Sequence, residues 1–227
     1  MVNSSDISKF FLINKPTEWT SFDVVKKIRG LIKKKHSINK LKVGHAGTLD
    51  PRASGLLILC VGNKTKEIKH FENLDKTYVG IMKIGCVTDS FDSEKKEKNH
   101  KEYNLISDQE IQKVFETFLG EQKQIPPIFS AIKLNGERLY KKARRGEVNI
   151  NLKERNINIQ KLEVLKSNLP FIEFEVKCSK GTYIRSLVND IGKKLSCGAY
   201  LYALKRTQIG EFHLKDSREI QDIPLVF

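Results

Sequence analysis

The chain has 227 residues, and its 41 Lys+Arg against 27 Asp+Glu leave a net charge of +14. With 39% hydrophobic and 30% charged residues it holds too many apolar groups for a disordered chain. Its longest apolar run, Leu56 to Val61, is far short of the roughly 20 residues that span a bilayer. A chain of this length should bury about 70% of its unfolded surface, which allows one or two domains or a single large α+β domain. The start is polar up to Asp6 and lacks the basic and apolar stretches of a secretory signal. Cys60, Cys86, Cys178 and Cys197 form no CxxC pair, so buried free thiols in a reducing compartment are expected, with neither a disulfide framework nor structural zinc. The surplus of positive charge favours a polyanionic partner, nucleic acid above all. A generally lysine-rich proteome would produce the same number, and charge alone leaves both readings open.

In chain order, Phe10 to Ile13 reads as a strand stopped by Asn14, Lys15 and Pro16. Thr20 to Asp23 is a capping box opening a helix whose core side is Phe22, Val25, Ile28 and Ile32. Lys33 to Lys42 is read as an exposed basic loop. The Gly-rich segment Gly44 to Gly55 then leads into a buried strand, Leu56 to Val61. Thr77 to Ile84 is a second strand, and the charged stretch Ser90 to Tyr103 reads as a mobile loop. Ser107 and Glu110 cap a helix carrying Ile111, Val114, Phe115 and Phe118 on its apolar side. After Pro126 and Pro127, Ile128 to Leu134 is extended and closes on an Asn135-Gly136 turn. A short basic helix, Leu139 to Arg145, ends at Gly146. Phe171 to Val176 alternates as a half-exposed strand. The following helix buries Ile184, Leu187, Val188, Ile191 and Leu195. Tyr183 and Arg185 fall on either side of that stripe and are expected to border the core. Ala199 to Ile209 is a last strand. The mixed order of strands and helices favours α+β over a doubly wound sheet.

Three segments could carry chemistry. In Gly44-His45-Ala46-Gly47-Thr48-Leu49-Asp50-Pro51 the glycines permit a tight loop, and the proline keeps Asp50 out of helical backbone. A carboxylate so held could be a nucleophile or base, although an isolated Asp-Pro turn is more often structural. Lys180 to Arg185 brings Tyr183 and a guanidinium to the start of a helix, where Thr182 would be the cap. Lys76-Thr77-Tyr78 places a tyrosine early in a strand. A P-loop, a Gly-x-Ser-x-Gly elbow and a His-Glu-x-x-His helix are all missing.

Together GHAGTLDPRASGLLILCVGNKTK, KTYVG and CSKGTYIRSL resemble the tRNA pseudouridine synthase B family. The likeness extends through INKPTEWTSFDVV, PPIFSAIKLNGERLYKKARRGE and CGAYLYALKRTQIG, covering about residues 10 to 210. It implies a pseudouridine-synthase fold, with a mixed, mostly antiparallel central sheet and an RNA-binding cleft, in a single catalytic domain over 1–227. It further implies isomerisation of uridine-55 in the tRNA T loop to pseudouridine by a cytoplasmic monomer, with no cofactor or metal and with the target base flipped into the site. By the resemblance Asp50 is the catalytic carboxylate, Arg185 its cationic partner, and Tyr78 the ring that stacks on the base and helps remove the C5 proton. Tyr183 and Leu204 line the uracil pocket, His45 contacts RNA, and Lys15 with Pro16 packs beside the site. Lys33 to Lys42 and Lys141 to Arg145 would follow the RNA backbone. Ala46, Arg52 and Ser54 depart from the family's usual residues, and the stretch from Glu211 is too short for the PUA domain that many members carry. Rival readings are a non-catalytic RNA-binding protein or tRNA-folding chaperone, and a synthase acting on another RNA.

Overall fold

A computed structural model describes residues 8–147 and 150–223, so the polar start up to Asp6 lies outside the described residues. The strands are β1 (Ser8–Lys15), β2 (Val43–Ala46), β3 (Ala53–Gly62), β4 (Lys76–Ile84), β5 (Gly120–Gln124), β6 (Lys133–Leu134), β7 (Glu137–Arg138), β8 (Arg155–Asn168), β9 (Phe171–Cys178), β10 (Ala199–Ile209) and β11 (Phe212–His213). The helices are α1 (Ser21–His36), α2 (Ile68–Asn73), α3 (Asp108–Glu116), α4 (Leu139–Arg144) and α5 (Ile184–Lys194). The fold is α+β with mostly antiparallel pairing, as expected. None of the described helices is long and apolar enough to cross a membrane. The chain divides into two compact units, one comprising residues up to Val79 with those from Leu204, the other Gly80–Ala203. Strands β4 and β10 each contribute residues to both.

The first unit is built around β3. One edge of β3 pairs along its length with β1, antiparallel from Ser8↔Gly62 to Lys15↔Gly55. The other edge is shared. β2 takes its far end, Val43↔Val61 to Ala46↔Ile58, and β10 lies parallel against its start, Leu204↔Ala53 to Arg206↔Gly55. Both faces of β3 are covered. Leu57, Leu59 and Val61 pack with Val24, Val25, Ile28 and Ile32 of α1, while Leu56, Ile58 and Cys60 pack with Ala46, Phe71 and Ile209. That explains why its sequence is a continuous apolar run and not an alternating one. The second unit holds the antiparallel ladder β9–β8–β5, with Phe115 of α3 edge-on to Phe174 of β9 at 6.3 Å.

Several expectations change. Helix α1 begins at the expected Thr20/Asp23 capping box but continues through Lys33, Lys34, Lys35 and His36 to a left-handed Ser37. Lysine is a good helix former, and a basic last turn complements the helix dipole, so the first part of the expected basic loop is helical. Phe22 is 60% exposed and Val24 takes the core position instead. The segment from Ser90 is anchored. Val87 and Lys98 exchange backbone hydrogen bonds, and Leu201 donates to the Phe91 carbonyl. Ser90 and Asp92 are buried, because its polar side chains bond to one another and to the second unit's framework. Strands β2, β5 and β8 were not visible in the periodicity. The Asn135-Gly136 turn is present, with both residues at positive φ. All four cysteines are buried free thiols, and burial pushes Cys60 up to about 11.

Candidate active site

The loop from Gly47 to Arg52 carries Asp50, and its backbone is tied at several points. Ser21, the first residue of α1, both donates to the Leu49 carbonyl (3.1 Å) and accepts from the Leu49 N–H (2.9 Å). The Glu18 N–H donates to the Pro51 carbonyl at 2.8 Å, and the Glu18 carboxylate pairs with Arg52 at 2.7 Å. The Ala53 N–H closes a turn on the Asp50 carbonyl at 3.0 Å. Buried Arg206 donates from Nε to the Leu56 carbonyl (2.8 Å) and from its terminal nitrogen to the Gly47 carbonyl (3.0 Å). Asp50 is thus half-buried in a loop whose two roots and centre are all fixed.

Lys15 is fully buried. Its ammonium donates to the carbonyls of Pro16 (2.8 Å) and Trp19 (2.6 Å) and so holds the turn that carries Glu18. Burial chiefly lowers its pKa from 10.5 to about 8, with Asp50 opposing and Arg206 reinforcing the shift. An unfolded chain keeps this proton to about 10.5 and the folded one only to about 8, so between those values the unfolded state binds more protons. The stability of wild type relative to Lys15→Met should therefore rise from pH 8 to pH 10.5, by up to about 3 kcal/mol. Urea unfolding of both proteins across that range reads it, and a difference flat with pH would refute the lowered pKa.

His45 sits on β2 opposite Leu59. Burial, with a smaller push from Arg206, lowers its pKa, which favours the neutral imidazole. Its Nδ1 is buried without a hydrogen-bond partner. Tyr78 is buried on β4, and the Arg206 guanidinium lies 6.0 Å from its ring centroid. Leu204 is opposite Ala53 in the β3–β10 register, next to the turn that Asp50 opens. The first unit therefore gathers Lys15, His45, Asp50, Tyr78 and Leu204 on elements joined by Arg206 and Ser21, two residues that sequence reading did not single out. Arg206 could have been suspected only as an apolar-strand arginine; Ser21 looked like a helix start.

In the second unit, Tyr183 occupies the cap position of α5, so Thr182 is not the cap; its hydroxyl donates to the Ser179 carbonyl at 2.9 Å. Gln124 grips the Tyr183 backbone, accepting from its N–H (2.8 Å) and donating to its carbonyl (3.1 Å). Arg155 lies over the ring at 5.4 Å. Arg185 is buried and does not merely border the core. It donates to the carbonyls of Ser90 (3.2 Å) and Phe129 (3.0 Å) and lies 3.5 Å from the Asp92 carboxylate. Carbonyls and a carboxylate drew it inward, which helical spacing does not reveal.

Of the basic segments, α4 and the residue after it are largely ion-paired: Lys142 and Arg145 with Glu137 and Glu147, and Arg144 with Glu94. None of the ion pairs among the described residues takes up Lys33, Lys34, Lys35, Lys40 or Lys42. One group among the described residues could hold a metal, Cys86, Glu97 and His100, with ligand atoms within 4.8 Å. Glu97 there already accepts from Lys83 (2.7 Å) and Tyr200 (2.6 Å), and the group lies on other elements than Asp50.

The α+β frame with its large, mostly antiparallel sheet is the one expected of a pseudouridine synthase. The model of the TruB family pseudouridylate synthase N-terminal domain matches residues 33–184, and that of the tRNA pseudouridylate synthase B C-terminal domain matches residues 185–225. The chain belongs to the TruB family of pseudouridylate synthases. It is 48% identical to tRNA pseudouridine synthase B of Parabacteroides distasonis over 88% of this chain and 85% of that one. It is 46% identical to the protein of the same name from Clostridium tetani over 93% and 71%. Among solved structures, a chain of a Cbf5-Nop10-Gar1 complex superposes with a TM-score of 0.68 at 27% identity. That match covers 94% of this chain and about half, 52%, of the other.

Proposed function

We propose that this protein converts uridine-55 in the T loop of tRNA to pseudouridine, as a cytoplasmic monomer with no cofactor, and that Asp50 is its catalytic carboxylate. The reaction breaks the N1–C1′ bond, turns the uracil, and forms a C5–C1′ bond; C5 loses its proton and N1 gains one. A carboxylate serves this chemistry by covalent attack or by electrostatic support of the departing base. Both demand a fixed position, and the observation that carries the reading is the loop around Asp50, tied at Gly47, Leu49, Pro51 and Leu56 in a member of this family. Tyr78 stacks on the flipped base and assists removal of the C5 proton, with Leu204 and Tyr183 as pocket walls. His45 contacts the RNA, Lys15 holds the adjoining turn, and Arg185 keeps the role of cation to the carboxylate. The lysines of α1's last turn and of the segment after it meet phosphates of the T arm.

The test is to incubate the purified protein with a T-arm hairpin and with a full tRNA transcript, then map pseudouridine at nucleotide resolution. Conversion at position 55 in both, and none when that uridine is replaced by cytidine, is the expected result. Conversion confined to another position, or none, would overturn the reading.

A further inference from the structure

Arg206 makes contacts that a structural ion pair would not. The side chain is 1% exposed, and none of the described ion pairs reaches it, so the buried charge is balanced by dipoles. Its Nε donates to the carbonyl of Leu56 and its terminal nitrogen to that of Gly47, residues on either side of Asp50. The same guanidinium lies over the Tyr78 ring, and a cation over an aromatic face is attracted by the ring quadrupole. Three further details concentrate the design on this residue. The Arg206 backbone is opposite Gly55 in the parallel β3–β10 pairing, and a Cβ on Gly55 would come within 2.4 Å of the Arg206 carbonyl oxygen. Gly47, at φ +82°, presents its carbonyl from a backbone region that L side chains rarely adopt, and a Cβ there would stand 3.5 Å from the guanidinium. Arg206 also follows Leu204 by two residues, so on β10 it stands on the same face as a proposed pocket wall.

We propose that Arg206 is the positioning residue of this active site: one buried guanidinium that sets the Asp50 loop from both of its roots and, through the same group, the face of Tyr78. This deepens the reading of the protein as a pseudouridine synthase and rests on it. The planar fork is what the task needs. A guanidinium presents several N–H donors in fixed directions, so it can bond two carbonyls and still offer its face to a ring. A lysine at the same place keeps the charge and reaches one carbonyl only. Arg206 touches neither the reacting bond nor the base in this assignment, so its loss should alter the placement of the carboxylate and leave RNA affinity alone. Small misplacements of a catalytic group cost rate steeply.

The experiment compares wild type, Arg206→Lys and Gly47→Ala in single-turnover pseudouridine formation on the T-arm hairpin, with hydrogen exchange followed on the free proteins. Arg206→Lys is expected to lower kcat by roughly a hundredfold with KM within about threefold, and to speed exchange of the amides from Thr48 to Ala53 above the rest of the chain. Gly47→Ala keeps Arg206 and moves its acceptor; it should show the same kcat-only loss to a smaller degree, and it decides the matter if Arg206→Lys does not fold. A purely structural role would instead lower the melting temperature with kcat per folded molecule unchanged, and would overturn the proposal. So would a folded Arg206→Lys with wild-type kcat and wild-type exchange in the loop. If wild type itself forms no pseudouridine, the enzymatic reading fails, while the exchange result still shows whether Arg206 holds the loop.

Discussion

Asp50→Asn is expected to lower pseudouridine formation by at least about a thousandfold, because the amide is close to the carboxylate in shape and carries no charge to attack or stabilise. The loop should keep its place. Ser21 holds the main chain of Leu49, Glu18 the carbonyl of Pro51, and Arg206 those of Gly47 and Leu56. The melting temperature should consequently stay within a few degrees, and affinity for the T arm within about threefold, since phosphate contacts supply most of it. Rate is measured by single-turnover pseudouridine mapping and affinity by filter binding with the same RNA. Turnover retained by Asp50→Asn would remove the carboxylate from the mechanism. Loss of RNA binding together with rate would instead mean that Asp50 contributes to binding.

Gly55→Ala should be the most destabilising single-methyl change near the site. Gly55 has φ +101° and lies opposite Arg206 across the parallel pairing. An added Cβ would approach the Arg206 carbonyl oxygen to 2.4 Å and its nitrogen to 2.8 Å, and neither can swing aside as a side-chain tip could. Left-handed backbone costs about 1–2 kcal/mol for an L residue, and overpacking a tight contact costs about 1–3 kcal/mol more. A total of about 2–5 kcal/mol corresponds in a chain of this size to a melting shift on the order of 10 °C. Thermal unfolding followed by circular dichroism measures it. Gly30→Ala is the control: beyond the helix's own backbone nothing lies within 4 Å of an added Cβ, and the helix should gain slightly. A Gly55→Ala protein melting with wild type would show that β3 and β10 can separate there freely.

Local signals were legible where they are local physics. The capping boxes at Thr20/Asp23 and Ser107/Glu110 are both present, because a side chain and a backbone three residues apart need nothing else. The Asn135-Gly136 hairpin turn is likewise settled by the φ values those two residues tolerate. Strand β8, with Lys161, Glu163 and Lys166 among its residues, has no clean alternation. It is a strand because β9 and β5 pair with its two edges, and cross-strand pairs such as Lys161–Glu175 at 2.6 Å carry its charges. The run from Ser90 departs from the expected mobile loop for a related reason. Charge and polarity signal a solvated loop only when their partners are water, and here Ser90 and Asp92 are held inside the fold.

The net charge of +14 fits a polyanionic partner, and the motifs around Asp50, Tyr78 and Arg185 resemble those of one family. Chain order and residue type were enough for the family, because a motif preserves which residues follow which; charge alone leaves a lysine-rich proteome equally open. Where those residues stand was decided only in three dimensions. Arg206 and Gly47 are 159 residues apart, and Ser21 and Leu49 are 28 apart. Their hydrogen bonds exist because β10 lies parallel against the first residues of β3 and because α1 begins beside the Asp50 loop. The pattern of apolar residues selects elements by their period; it carries no information on which buried polar group will find which carbonyl. That is settled by the requirement that every donor taken out of water meet an acceptor, a condition imposed by the packed fold as a whole.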